Sequence, residues 1–282
     1  MELVVTRKRK NIQKRWNVAL MLSMVTLLPV VIAYTFLVLN HDPSLVKLTE
    51  RLLPMSLKHP LGTDHLGRDV LTRLLLGSQL TVGYGLISLL IAVIIGVPFG
   101  LLAGFKGRVV DRIFMRIADV FLSFPDTIVA IVLSSLLGAG IENLLFAIVL
   151  VKWVSYSRLV RSTVLTERQK DYVIIAKING LSSGRIMIKH ILPHVIGNVL
   201  VLASLDLGKI ILLISALSYI GLGAQPPAPE WGAMLNDARP HFQSNPQLMI
   251  YPGLAIVFIV LLSNLFGDYL RDKFDVKKEV GN

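Results

Sequence analysis

Residues 80–102 read LTVGYGLISLLIAVIIGVPFGLL, a run of 23 residues without one charged side chain. A helix needs roughly 20 mostly apolar residues to cross about 30 Å of hydrocarbon, so this stretch predicts a membrane span. Five further stretches have the same character: residues 18–39, 110–137, 144–160, 195–222 and 250–270. The expected fold is therefore all-α, a polytopic membrane protein with six transmembrane helices. Gly96, Pro98, Gly100 and Pro125 fall inside these stretches, which membrane helices tolerate because neighbouring helices satisfy the freed backbone groups.

The whole composition agrees. Of 282 residues 54% are hydrophobic and only 7% aromatic, with a mean hydropathy of +0.66; soluble domains sit lower. A net charge of +11 would suggest nucleic acid in a soluble protein. In a membrane protein it reflects Lys and Arg gathered in cytoplasmic loops, so lipid is expected as a partner and nucleic acid is not. Cysteine is absent, which excludes disulfides, thiolate metal sites and a cysteine nucleophile.

Basic residues orient the chain. The N-terminus, the loop near 106–116, residues 152–189 and the C-terminus hold 22 of the 29 Lys and Arg, while residues 40–78 and 223–249 hold six. The rich set is expected inside, with both termini cytoplasmic. The basic stretch Arg7 to Arg15 before the first span resembles a leader, but the apolar run is long and no small-residue cleavage site follows, so an uncleaved span is expected.

The predicted organisation is a cytoplasmic tail (1–17), a first span (18–39), an external loop (40–79), a five-helix core (80–271) containing a cytoplasmic loop (162–193), and a second tail (272–282). In the external loop, Gly62-Thr63-Asp64 opens what reads as a short helix capped by Thr63 or Asp64. Leu66, Val70, Leu71, Leu74 and Leu75 fall near one face. This predicts an interfacial amphipathic helix; the alternative is the start of the second span. Residues 162–193 predict two short helices bent around Gly180 and ending at Pro193.

Several chemistries have no motif. There is no G-x-x-x-x-G-K-[ST] phosphate loop, no H-E-x-x-H and no G-x-S-x-G, so the chain is read as a non-enzyme. The direct inference is a transporter or channel whose energy, if it works uphill, enters from a partner or an ion gradient.

The cytoplasmic loop bears on the partner. Residues 171–193 read DYVIIAKINGLSSGRIMIKHILP. This resembles the EAA loop of binding-protein-dependent ABC importers, with Ala176 at the second alanine, Gly180 at the glycine and Leu192-Pro193 at the ending. Ile174 replaces the usual Glu, Ile175 the first alanine, and His190 stands where many members have an aliphatic residue. HPLGTDHLGRDVLTRL (59–74), SYIGLG (218–223), PPAPEWGAML (226–235) and NLFGDYLRD (264–272) resemble the dipeptide, oligopeptide and nickel permeases. LDLGK (205–209), EWGAMLNDAR (230–239) and QLMIYPGLA (247–255) look closest to the nickel or metal-chelate type.

The resemblance implies a type I ABC importer permease of a bacterial inner membrane. It implies a second homologous permease, two ABC ATPase subunits and an extracytoplasmic solute-binding protein as partners. ATP and Mg would be bound by the ATPases, with no cofactor in this chain. The cargo implied is nickel, cobalt or another metal ion, free or chelated; the alternative is di- or oligopeptides. A channel or ion-coupled transporter without an ATPase is the alternative from another class, and it would have no use for an EAA-like loop. Asp171, Ala176, Lys177, Gly180, Leu181 and Arg185 are the expected ATPase-coupling residues.

Three charges within the predicted spans are candidates for the translocation path. Asp206 and Lys209 are helix neighbours at i, i+3, either lining the path for an anionic cargo or forming a structural ion pair. Asp126 follows Pro125 and either lines a cavity at the kink or packs helices. Asp119 reads as a partner of Arg112 and Arg116. His41, His59, His65 and His241 are expected outside, with no spacing that defines a metal site. Trp16, Trp153 and Trp231 fall near predicted span ends, where indole rings suit the membrane interface.

Overall fold

Asp69 marks the start of the longest helix. Its carboxylate accepts from the Thr72 amide at 2.7 Å and caps α1, Val70–Lys106. The computed structural model describes residues 42–280, with side chains described as far as Phe274; the predicted tail 1–17 and first span 18–39 lie outside the described residues. At 1.5 Å per residue, α1 is about 55 Å long, well beyond the hydrocarbon thickness.

The predicted interfacial helix does not form. Gly62 and Gly67 take φ of +76° and +75°, and Asp64 accepts from the amides of Leu66 and Arg68. That carboxylate builds a turn where a helix was expected. Val70, Leu71, Leu74 and Leu75 are instead the opening turns of α1.

The predicted third span is broken. α2, Arg108–Leu122, and α3, Asp126–Leu137, meet at 83°. Pro125, immediately before α3, disfavours a helical conformation in Phe124, so the ladder stops there. α4 spans Ile141–Glu167 and α5 spans Asp171–Ile178. A four-residue turn, Ser183–Ile186, and a π-helical stretch, Met187–Ile191, run directly into α6, Leu192–Tyr219. The second cytoplasmic helix therefore does not end at Pro193. That proline lies inside the continuous helical run, directly after the π-helical stretch. α7 is Trp231–Ala238 and α8 is Gln247–Val280. Among the described residues, four helices are long and apolar enough to cross a membrane, and the bent α2–α3 pair is a candidate fifth.

Glycine sets the tightest packing. A Cβ on Gly96 would stand 2.6 Å from the Trp153 carbonyl oxygen, on Gly100 2.5 Å from that of Ser157, and on Gly104 2.7 Å from Val164 Cβ. The residue numbers rise together, so α1 and α4 run parallel along a small-residue stripe at i, i+4, i+8. α6 and α8 run antiparallel: Gly197 faces Phe274, while Gly208 faces Val260 and Ser263. Ser263 accepts from the Gly208 amide at 3.0 Å and donates to the Ser204 carbonyl at 2.6 Å. The core is formed by Leu144, Ile148, Tyr156 and Val160 of α4 with Ile210, Ile214 and Leu217 of α6.

This packing separates two ends. At one lie the 42–69 segment, the α4 N-terminus, the α6 C-terminus and α7; the Gly140 amide bonds the Leu222 carbonyl there. At the other lie Lys106, Glu167, α5 and the π-helical stretch. Of the two described tryptophans, Trp231 is not an interfacial anchor. Trp231 is buried and donates to the Leu74 carbonyl at 2.8 Å. Trp153 packs against Phe99 and Phe121.

Candidate functional site

The expected coupling loop is a folded elbow. α5 buries Val173 and Ala176 against the core that includes Ile186, Ile191 and Val195. Gly180 turns the chain at φ +76° with open space around it. Leu181 packs against the same core, while Asp171, Lys177, Gly180 and Arg185 are exposed. Ala176 therefore serves the close approach of α5 to its own bundle. Ile174, Ile175 and Ile178 are left exposed on the outer side, an apolar surface flanked by Lys177.

Tyr172 ties this elbow to the spans. Its hydroxyl donates to the carboxylate of Glu167, the last residue of α4. Its ring packs beside His190 at 6.4 Å and His194 at 5.8 Å. Burial, and then the neighbouring Glu167 carboxylate, hold the phenol pKa above its ordinary value, so it stays a donor at physiological pH. Lys170 pairs with Glu167 at 2.9 Å. The π-helical stretch carrying His190 adjoins this junction; such stretches occur often at functional sites.

Several ion pairs lie on the spanning helices. Lys152 donates to Asp126 at 2.9 Å, joining the middle of α4 to the first residue of α3. Lys152 is thus not a cytoplasmic-loop residue, as the basic-residue count took it to be. Asp206 lies 3.5 Å from Lys209 and accepts from the Tyr156 hydroxyl at 3.2 Å. The pair is lopsided: the Asp206 side chain is 6% exposed, that of Lys209 69%. Asp119 meets Arg158 of α4 at 4.0 Å, rather than Arg112 or Arg116 on its own helix.

The opposite end carries a buried polar cluster. Arg68 reaches Asp64 at 2.6 Å and Asp237 at 3.4 Å. Arg73 donates to the carbonyls of Pro43 and Pro227. His59 bonds Asp69 at 2.9 Å. Glu230, fully buried, accepts from the amides of Gly232 and Ala233 and from the Thr81 hydroxyl. These contacts clamp the 42–69 segment and α7 to α1. His65 stacks on His241 at 5.2 Å; burial pushes its imidazole pKa down, against the pull of Asp64 and Asp237. Among the described residues no three His, Asp or Glu side chains are grouped to hold a metal ion.

Sequence reasoning missed Lys152, Tyr156, Tyr172 and Glu230. Lys152 had a signal, a charge at the middle of the predicted span 144–160. Tyr156 had none, because its partner lies 50 residues away. Glu230 had none, because glutamate is not among the residues that usually cap a helix.

Residues 96–279 match the family described as binding-protein-dependent transport system inner membrane component. The nickel transport system permease protein NikC of Escherichia coli is 39% identical over 264 residues, covering 94% of this chain and 95% of that protein. The dipeptide transport system permease protein DppC of Alkalihalophilus pseudofirmus is 42% identical over 229 residues, 81% of this chain and 75% of that protein. The glutathione transport system permease protein GsiD of Pectobacterium atrosepticum is 42% identical over 219 residues, 78% and 73% respectively. With its long apolar helices and a family match over most of its length, the chain belongs to the binding-protein-dependent transport system inner membrane components, multi-pass permease subunits of ABC importers that transport rather than catalyse.

Proposed function

We propose that this permease pairs with a second, homologous permease to form the path for a metal ion, free or held by a small chelator. Two ATPase subunits serve the pair, one of them docking at the α5 elbow of this chain, and an external binding protein delivers the cargo. The observation that carries the docking is the elbow itself: exposed Ile174, Ile175 and Ile178 stand at one end of the bundle, while Tyr172 fastens the same helix to α4. An exposed apolar surface rimmed by polar residues is characteristic of a protein contact. Movement imposed there reaches the spans through the Tyr172–Glu167 bond and the π-helical lead into α6. With Ile174 in place of the usual glutamate, the contact is mainly apolar.

A metal cargo is favoured because the alignment to the nickel permease runs over nearly all of both chains. Peptide cargo is the second reading, favoured by the 42% identity to the dipeptide permease. Purification of the tagged complex tests the assembly, and ATP-dependent uptake in proteoliposomes tests the function. The expected result is co-purified ATPase and uptake of a nickel species that stops without ATP. Uptake that persists without ATP, with no ATPase recovered, overturns the proposal.

A further inference from the structure

Lys209 lies ten residues before Tyr219, the last residue of α6, or about 15 Å along the axis. A lysine facing lipid extends toward the nearer interface to hydrate its ammonium. At about half the depth of a 30 Å hydrocarbon layer, Lys209 has no near interface to reach. Its ammonium lies 3.5 Å from Asp206, one turn toward the far end of the helix. It is also mostly exposed on the chain's own surface, as are Leu212, Ala216 and Ile220, which continue the same stripe at spacings of three and four. Asp206 offsets part of this charge from beneath, but its carboxylate is buried and also accepts from the Tyr156 hydroxyl, so the exposed end of the pair is the ammonium. The stripe therefore presents the positive end of this pair on apolar walls, an arrangement that attracts and orients an anion in a water-filled passage.

We infer that this stripe of α6 lines the translocation path, and that Lys209 selects solutes bearing a carboxylate over bare metal cations. The carboxylate belongs to a metal chelate or to the end of a short peptide; both present the same group to the ammonium. The inference rests on the importer reading and narrows its cargo.

The test uses the assembled importer in proteoliposomes with its binding protein. The probes are radiolabelled Ni2+ alone, radiolabelled Ni2+ with excess citrate, and a radiolabelled dipeptide. The wild-type complex is expected to accumulate the citrate complex or the dipeptide at least fivefold faster than Ni2+ alone, and the faster of these identifies the source of the carboxylate. Lys209→Gln is expected to lower that rate about tenfold, and Lys209→Arg to retain most of it. A preference for bare Ni2+, or an assembled Lys209→Gln complex with unchanged rates, overturns the inference and leaves the importer reading standing. Failure to accumulate any probe with ATP overturns both.

A second measurement leaves Lys209 in place. The chain has no cysteine, so Leu212→Cys introduces one thiol in a stripe position one turn from Lys209. An anionic methanethiosulfonate reagent is expected to modify it at least fivefold faster than a cationic one, relative to complex without the substitution. No reaction with either reagent, or faster reaction with the cation, overturns the inference even if Lys209→Gln fails to assemble.

Discussion

The Tyr172 hydroxyl donates to Glu167, which joins the second residue of α5 to the last residue of α4. Through this one bond and the ring packing beside His190 and His194, a helix outside the spans is coupled to two helices within them. Tyr172→Phe keeps the ring and removes the bond. The assembled complex is expected to hydrolyse more ATP per solute imported, by about two- to fivefold, as expected for losing about 0.5–1 kcal/mol of positioning at this joint. Parallel assays of hydrolysis and uptake in proteoliposomes check this; an unchanged ratio would refute the role.

The same tyrosine sets a pH window. Its folded-state pKa is raised by burial and then by Glu167, whereas the unfolded phenol titrates near 10. A raised pKa contributes stability that is fully present below the unfolded value and is lost as pH rises through the folded one. The difference in melting temperature between wild type and Tyr172→Phe should therefore be flat from about pH 6 to 9 and shrink above about pH 10. A difference that shrinks on acidification across that window would contradict this assignment.

Gly180 turns the elbow at φ +76° with nothing within 4 Å, so a substitution there meets strain but no collision. Gly180→Ala should cost about 1 kcal/mol, since a Cβ disfavours left-handed backbone. Gly180→Asn should cost less, because asparagine visits that region more readily. The cost should appear as weaker ATPase co-purification in the order Gly, Asn, Ala. Equal recovery of all three would show that the turn is not required for docking.

Two glycines of α1 should respond in opposite ways. At Gly100 an added Cβ would meet Ser157 and Val160 at 2.5 and 2.6 Å, while at Gly83 nothing lies within 4 Å. Gly100→Ala should force α1 from α4 and destabilise by about 1–3 kcal/mol. Gly83→Ala should be neutral, or stabilise by up to about 1 kcal/mol through helix propensity. Thermal melts of the detergent-solubilised chain separate these, and equal melting temperatures would exclude the close packing.

Breaking the Lys152–Asp126 pair from one side leaves a charge within the spans without its partner. Asp126→Asn or Lys152→Gln alone should destabilise by about 1–3 kcal/mol, below the range for fully buried pairs because Asp126 is about one-third exposed. The double substitution should recover a large part of that loss, as paired residues are non-additive. Strict additivity in a double-mutant cycle would show that the two side chains do not interact.

The sequence determined the solvent and the class of fold. Uncharged runs such as residues 80–102 fix helices in lipid because length, apolarity and the need to satisfy backbone groups are local properties of the chain. It also placed the elbow at Gly180. Other features could be decided only by tertiary structure, because they depend on what meets across the fold. Gly96 and Gly100 read in sequence only as tolerated interruptions and Gly104 lay beyond the predicted span, but packing made all three the contact face with α4. Asp126 read as a residue beside a kink until the fold brought Lys152 to it, 26 positions away. Asp206 and Lys209 were an i, i+3 pair in any helix. Only the burial of one by Tyr156 and the exposure of the other assigned the carboxylate to the interior and the ammonium to the surface.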